Sequence, residues 1–131
     1  KMIEKKTGII FNLSYWASQR NDMGVAYGTA KAATDKMTAA MAHELSPYNI
    51  PVICLYPGLV RTEAVLKAQD HFDLSNAESP EFVGRVISRL ATDPTIMDKS
   101  GRILIAAAEA IAYGVKDIDG KQPRPLTRDE A

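Results

Sequence analysis

Tyr27 and Lys31 lie four residues apart at the start of a helical pattern, so their side chains share one face. A tyrosine titrates at about 10, too high to serve as a base near neutral pH. A lysine ammonium one turn away favours the phenolate and lowers that value. Each unit of lowering needs about 1.4 kcal/mol of differential stabilisation. Taken alone, the pair fits a surface contact better than a catalytic one. Two further features change that. Ser14 stands thirteen residues before Tyr27, and Pro57-Gly58 follows it by thirty. A hydroxyl at Ser14 would hold a reacting oxygen beside the tyrosine.

These residues need elements to position them. Ile9 to Leu13 reads as a short buried strand, followed by a loop with Tyr15 and Trp16. From about Ala26 to Leu45 the apolar spacing is helical, with Ala30, Ala33, Met37, Ala40, Met41 and Leu45 at three- and four-residue steps. Ser46-Pro47 ends it. Pro51 to Tyr56 is a second buried strand, stopped by Pro57-Gly58. Thr62 caps a short helix to about Gln69, and Asp70 to Glu78 is polar and loop-like. Ser79-Pro80-Glu81 opens another helix: a cap, a proline in the first position, and an acid at the positive end of the dipole. Arg102 to Ala106 is a third strand. Gly114 to Ala131 reads as an ordered hook that ends in a loose tail. Apolar strands alternating with helices imply a parallel sheet covered on both faces. Ligands in such sheets sit at the carboxyl ends of the strands, here Ser14-Tyr15-Trp16 and Pro57-Gly58-Leu59-Val60.

Composition narrows the partners. Of 131 residues, 46% are hydrophobic and 24% charged, and 16 basic side chains balance 16 acidic ones. That neutrality argues against a nucleic-acid or anionic-membrane binder. Cys54 is the single cysteine, and His43 and His71 are far apart, so no metal centre is expected. No apolar run approaches the roughly 18 residues of a membrane span, and no signal peptide is visible. A cytoplasmic protein is the expectation.

Three motifs carry a family likeness: Gly8-Ile9-Ile10-Phe11-Asn12-Leu13-Ser14, Tyr27-Gly28-Thr29-Ala30-Lys31-Ala32-Ala33, and Tyr56-Pro57-Gly58-Leu59-Val60-Arg61-Thr62. In this order and spacing they resemble the short-chain dehydrogenase/reductase family. Leu90 to Pro94, Ser100-Gly101-Arg102 and Tyr113 to Gly120 resemble the subgroup that includes mammalian dehydrogenase/reductase family member 1. The resemblance implies a three-layer, Rossmann-type, doubly wound parallel α/β sheet and an oxidoreductase using NAD or NADP on a small alcohol or carbonyl. It makes Tyr27 the general acid/base and Ser14 the residue that orients the substrate oxygen. Lys31 lowers the tyrosine pKa and holds the nicotinamide ribose. Pro57, Gly58, Val60 and Thr62 join Tyr27 and Lys31 around the cofactor, with the Val60 backbone and Thr62 meeting the carboxamide. Tyr15 and Trp16 are candidates for the substrate pocket. Val65, Leu66, Phe72 and Leu74 fall where the family has its lid. A homodimer or homotetramer is implied.

The chain departs from the family pattern in two ways. Members carry a Ser-Ser pair after an Asn-x dipeptide. Counting from Asn12, the second serine falls on Tyr15, whereas counting back thirteen from Tyr27 gives Ser14. We take Ser14, because Tyr15 has no aliphatic hydroxyl; Ser18 is the more distant alternative. The Gly-rich nucleotide turn and the preceding catalytic asparagine are also not in this sequence. Residues 1–122 therefore read as the second half of the fold, with a missing first half as partner, and 123–131 as a tail. The competing reading is a non-catalytic Rossmann-type fragment or interaction module.

Overall fold

The computed structural model describes residues 1–131. Three parallel strands form one sheet in the order β1-β2-β3, with β1 at Ile10–Leu13, β2 at Val52–Tyr56 and β3 at Ile103–Ile105. Asn12 lies opposite Cys54, and Leu55 opposite Leu104. All five residues of β2 are buried, as an unalternating apolar run requires in the middle of a doubly covered sheet. β1 is an outer strand and only half-buried.

Helices cover both faces. Helix α1 is the single turn Met2–Lys5. Helix α2, Val25–Leu45, lies on the face to which Asn12, Cys54 and Tyr56 point. Asn12 Nδ2 donates to Thr38 Oγ1 at 2.9 Å, the Cys54 thiol donates to Asp35 at 3.3 Å, and the Tyr56 hydroxyl donates to the second Asp35 oxygen. Tyr27, Lys31, Asp35, Thr38 and Ala42 thus form one stripe at three- and four-residue steps. Tyr27 and Lys31 are the outer end of the stripe that anchors α2 to the sheet. Burial pushes the Cys54 thiol up to about 12, helped by its bond to Asp35, so it is a packing residue.

Short helix α3 spans Glu63–Lys67, and Thr62 caps it by accepting from Val65 N at 3.4 Å. Helices α4, Pro80–Ala91, and α5, Ala106–Tyr113, cover the other face. There Ile53, Leu55 and Leu104 meet Phe82, Val86, Leu90 and Ala110. Each large apolar side chain buried this way contributes about 1.5–3 kcal/mol. Ser79 caps α4 as expected, accepting from Phe82 N at 3.0 Å. The sheet between two helical layers is the expected α/β arrangement.

Two expectations require correction. The third strand stops at Ile105, and Ala106 opens α5 instead of closing the strand. Alanine-rich sequence favours helix, and Gly114, at φ 65°, supplies the left-handed cap that ends it. The tail is not loose. Arg20 donates to the carbonyls of Arg128, at 3.2 Å, and Ala131. Asn76 Nδ2 donates to Arg124 O at 3.0 Å, and Arg124 N donates back to Asn76 Oδ1 at 2.7 Å. No helix is long and apolar enough to cross a membrane.

Candidate active site

The carboxyl ends of β1 and β2 open into a cavity of about 720 Å³. Tyr27 and Lys31 of α2 line it, as do Tyr15 and the loop residues Pro57, Gly58, Val60 and Thr62. Val65 and Phe72 of the expected lid also reach it, whereas Leu66 and Leu74 do not. The tail contributes Arg124, Leu126 and Glu130 to the wall, a part that sequence reasoning missed. No local pattern announces a strap held by side chains some fifty and a hundred residues away.

Helix geometry sets the pair. Lys31 Nζ lies 5.4 Å from the centre of the Tyr27 ring and donates to Leu13 O at 3.3 Å. The ammonium therefore rests over the ring face. Burial raises the Tyr27 phenol above its ordinary value. Gly28 lets the preceding turn, Trp16–Ser18, close onto α2: a Cβ there would meet Ala17 O at 3.1 Å.

The two residues after β1 face different ways. Ser14 touches the cavity wall but is only 2% exposed, and its hydroxyl donates to Lys31 O at 3.1 Å. This departs from the expected role, because the hydroxyl is turned into the β1–α2 contact. Tyr15 continues in extended conformation, at φ −164° and ψ 163°, and presents its ring to the cavity. Burial raises its phenol, with Tyr27 and Glu78 adding to the rise and Arg20 opposing it. Trp16 does not line the cavity. Its indole packs edge-on against Tyr56, with ring centres 5.2 Å apart. The Ser18 hydroxyl is 2.5 Å from the Tyr56 hydroxyl.

Glu78 is a second residue that sequence reasoning missed within its polar loop. It is 1% exposed and forms a bridge with Val60, through Glu78 N to Leu59 O and Arg61 N to Glu78 O, each 2.8 Å. Its Oε2 has no hydrogen-bond partner, and burial pushes the carboxyl up to about 7 against the Gly58 amide that favours ionisation. A Cβ on Gly58 would stand 3.0 Å from Glu78 Oε1, so the loop lies closely against that carboxyl. Asp117 anchors the same corner. Burial opposes its ionisation, yet bonds from Ser79 and Ile118 and the Arg61 cation hold it below its ordinary value.

A parallel α/β sheet with a Tyr-x-x-x-Lys helix on one face and a Pro-Gly loop across the strand ends is the second half of a Rossmann-type dehydrogenase fold. A family model described as short chain dehydrogenase matches residues 1–72, and the chain belongs to that family. It is 38% identical over 133 residues to dehydrogenase/reductase SDR family member 1 of Mus musculus, covering 92% of this chain and 42% of that one. It is 34% identical over 104 residues to cyclohexanol dehydrogenase of Rhodococcus sp. strain TK6, covering 70% and 38%. The NAD-bound 3-oxoacyl-[acyl-carrier protein] reductase of Brucella melitensis superposes with TM-score 0.63 at 25% identity, covering 79% of this chain and 41% of that one. The chain thus spans about two fifths of the length of the curated relatives it matches.

The cavity residues fit the nicotinamide-ribose end of such a cofactor. Lys31 Nζ has a single backbone acceptor, which leaves donors for hydroxyl groups.

Proposed function

We propose that this chain forms the catalytic half of an NAD- or NADP-dependent oxidoreductase acting on a small alcohol or carbonyl compound. The observation that carries this reading is the convergence of Tyr27, Lys31 and the Pro57–Thr62 loop on one cavity at the strand ends. The dinucleotide, when bound, supplies or accepts the hydride. Tyr27 Oη holds and moves the proton of the substrate oxygen. A tyrosine phenol carries its proton at neutral pH, as donation to a carbonyl requires. Lys31 offers its free N–H donors to the ribose hydroxyls, and its charge steadies the phenolate left after transfer. Val60 and Thr62 present backbone and hydroxyl groups to the carboxamide, and Pro57 and Gly58 shape the floor beneath it. The adenosine and pyrophosphate are held by a first half of the same polypeptide. Exposed Ala32 and Ala39, seven residues apart on one side of α2, support helix pairing in a homodimer or homotetramer.

The test is Tyr27→Phe in the full-length protein. Turnover falls by at least about 100-fold, the lower end for general acid/base catalysis, while cofactor affinity holds. A variant that keeps most of its turnover removes Tyr27 from the mechanism.

A further inference from the structure

We propose that Tyr15 and Tyr27 together hold the substrate oxygen, with the Tyr15 hydroxyl donating the hydrogen bond expected of Ser14, whose own hydroxyl is bonded to Lys31 O. This rests on the oxidoreductase reading above. Four observations carry it. The Ser14 side chain is 2% exposed and its hydroxyl proton is committed to Lys31 O at 3.1 Å. Strand alternation sends Asn12 and Ser14 toward α2, and Leu13 and Tyr15 toward the cavity. The Tyr15 hydroxyl makes no hydrogen bond within the chain, and neither does that of Tyr27, although both residues line the same cavity. Finally, ionisation of Tyr15 responds to the charge of Tyr27, as neighbouring phenols must.

Two phenols without hydrogen-bond partners in the chain line one cavity, and the proposal has both donate to a single oxygen there. In the reduction direction the carbonyl carbon gains the hydride and its oxygen gains the proton of Tyr27, leaving the Tyr27 phenolate. Tyr15 keeps its own proton and only donates a hydrogen bond to the oxygen as negative charge develops there. Phenols are far more acidic than aliphatic alcohols, so this donor is stronger than a serine. Its ring is also larger, which restricts the space beside the reacting carbon and favours slim or flat carbonyl compounds.

The test loads the full-length protein, labelled with ¹³Cζ-tyrosine, with oxidised NAD or NADP, which cannot reduce a ketone, and titrates cyclohexanone as the probe. Tyr→Phe substitutions assign the resonances. The expected result is that the Tyr15 and Tyr27 resonances move together over one ketone concentration range. Tyr15→Phe, which keeps the ring, weakens ketone binding about tenfold, the loss of one hydrogen bond to a reacting oxygen. Movement of Tyr27 while Tyr15 stays still overturns this proposal and leaves the function reading intact. Movement of neither overturns both. Unweakened ketone binding in Tyr15→Phe, with the loss appearing in Ser14→Ala instead, returns the role to the serine.

Discussion

Ser14 and Lys31 are stapled in both directions: the Ser14 hydroxyl donates to Lys31 O at 3.1 Å, and Lys31 Nζ reaches back to the carbonyl of the neighbouring Leu13 at 3.3 Å. The end of β1 is thereby locked to the second turn of α2. The lock fixes where the ammonium sits, and it removes the serine hydroxyl from the cavity.

Lys31→Met removes the charge and the bond to Leu13 O, while the Ser14 bond to the backbone carbonyl of residue 31 stays. In the full-length protein it weakens NAD or NADP binding about 10- to 100-fold, the loss of charged hydrogen bonds, and it also slows turnover. Tyr27→Phe slows turnover without the binding loss. Cofactor titration by calorimetry on both variants separates them. Equal cofactor affinities would place Lys31 outside the cofactor site.

Glu78 makes stability depend on pH. Its carboxyl is raised from 4.5 to about 7 in the folded chain, so the folded state holds the proton more tightly than the unfolded state. Below about pH 4.5 both states are protonated and the full stability is present. As pH rises through about 7, that stability is lost, by up to about 3 kcal/mol. Glu78→Gln keeps a polar side chain against the Gly58 amide and cannot ionise, so it flattens this slope and is the more stable protein at pH 8. Denaturant melts at pH 5, 6, 7 and 8 check this; parallel slopes for the two proteins refute it.

Asn76→Ala frees the tail from the cavity wall. Two hydrogen bonds to Arg124 disappear, each contributing about 1 kcal/mol. The population with an open tail then rises about tenfold or more, and trypsin cleaves after Arg128 correspondingly faster. A cleavage rate equal to that of the unchanged protein would show that Arg20 alone holds the strap.

Much of this was written in local pattern. Unbroken apolar runs announced β1 and β2, and the Ser79-Pro80-Glu81 start announced α4, because propensity and capping act over a few residues. The Tyr27–Lys31 pair was legible for the same reason: helical spacing alone brings them to one face. Ala106, the first residue of α5, read as the end of the third strand, since periodicity cannot separate a short buried helix from a buried strand.

What tertiary structure decided lies between distant segments. Counts from Asn12 and from Tyr27 disagreed by one residue over which hydroxyl meets the substrate. In an extended chain, one residue is the difference between two faces. Only the docking of α2 on β1 shows Ser14 turned into the contact and Tyr15 turned to the cavity. The buried carboxyl of Glu78 behind Gly58, and the tail held by Arg20 and Asn76, depend likewise on contacts across the fold. The sequence alone determined the family and the shared face of Tyr27 and Lys31, because both rest on short-range spacing. Which hydroxyls are free to act depended on long-range packing.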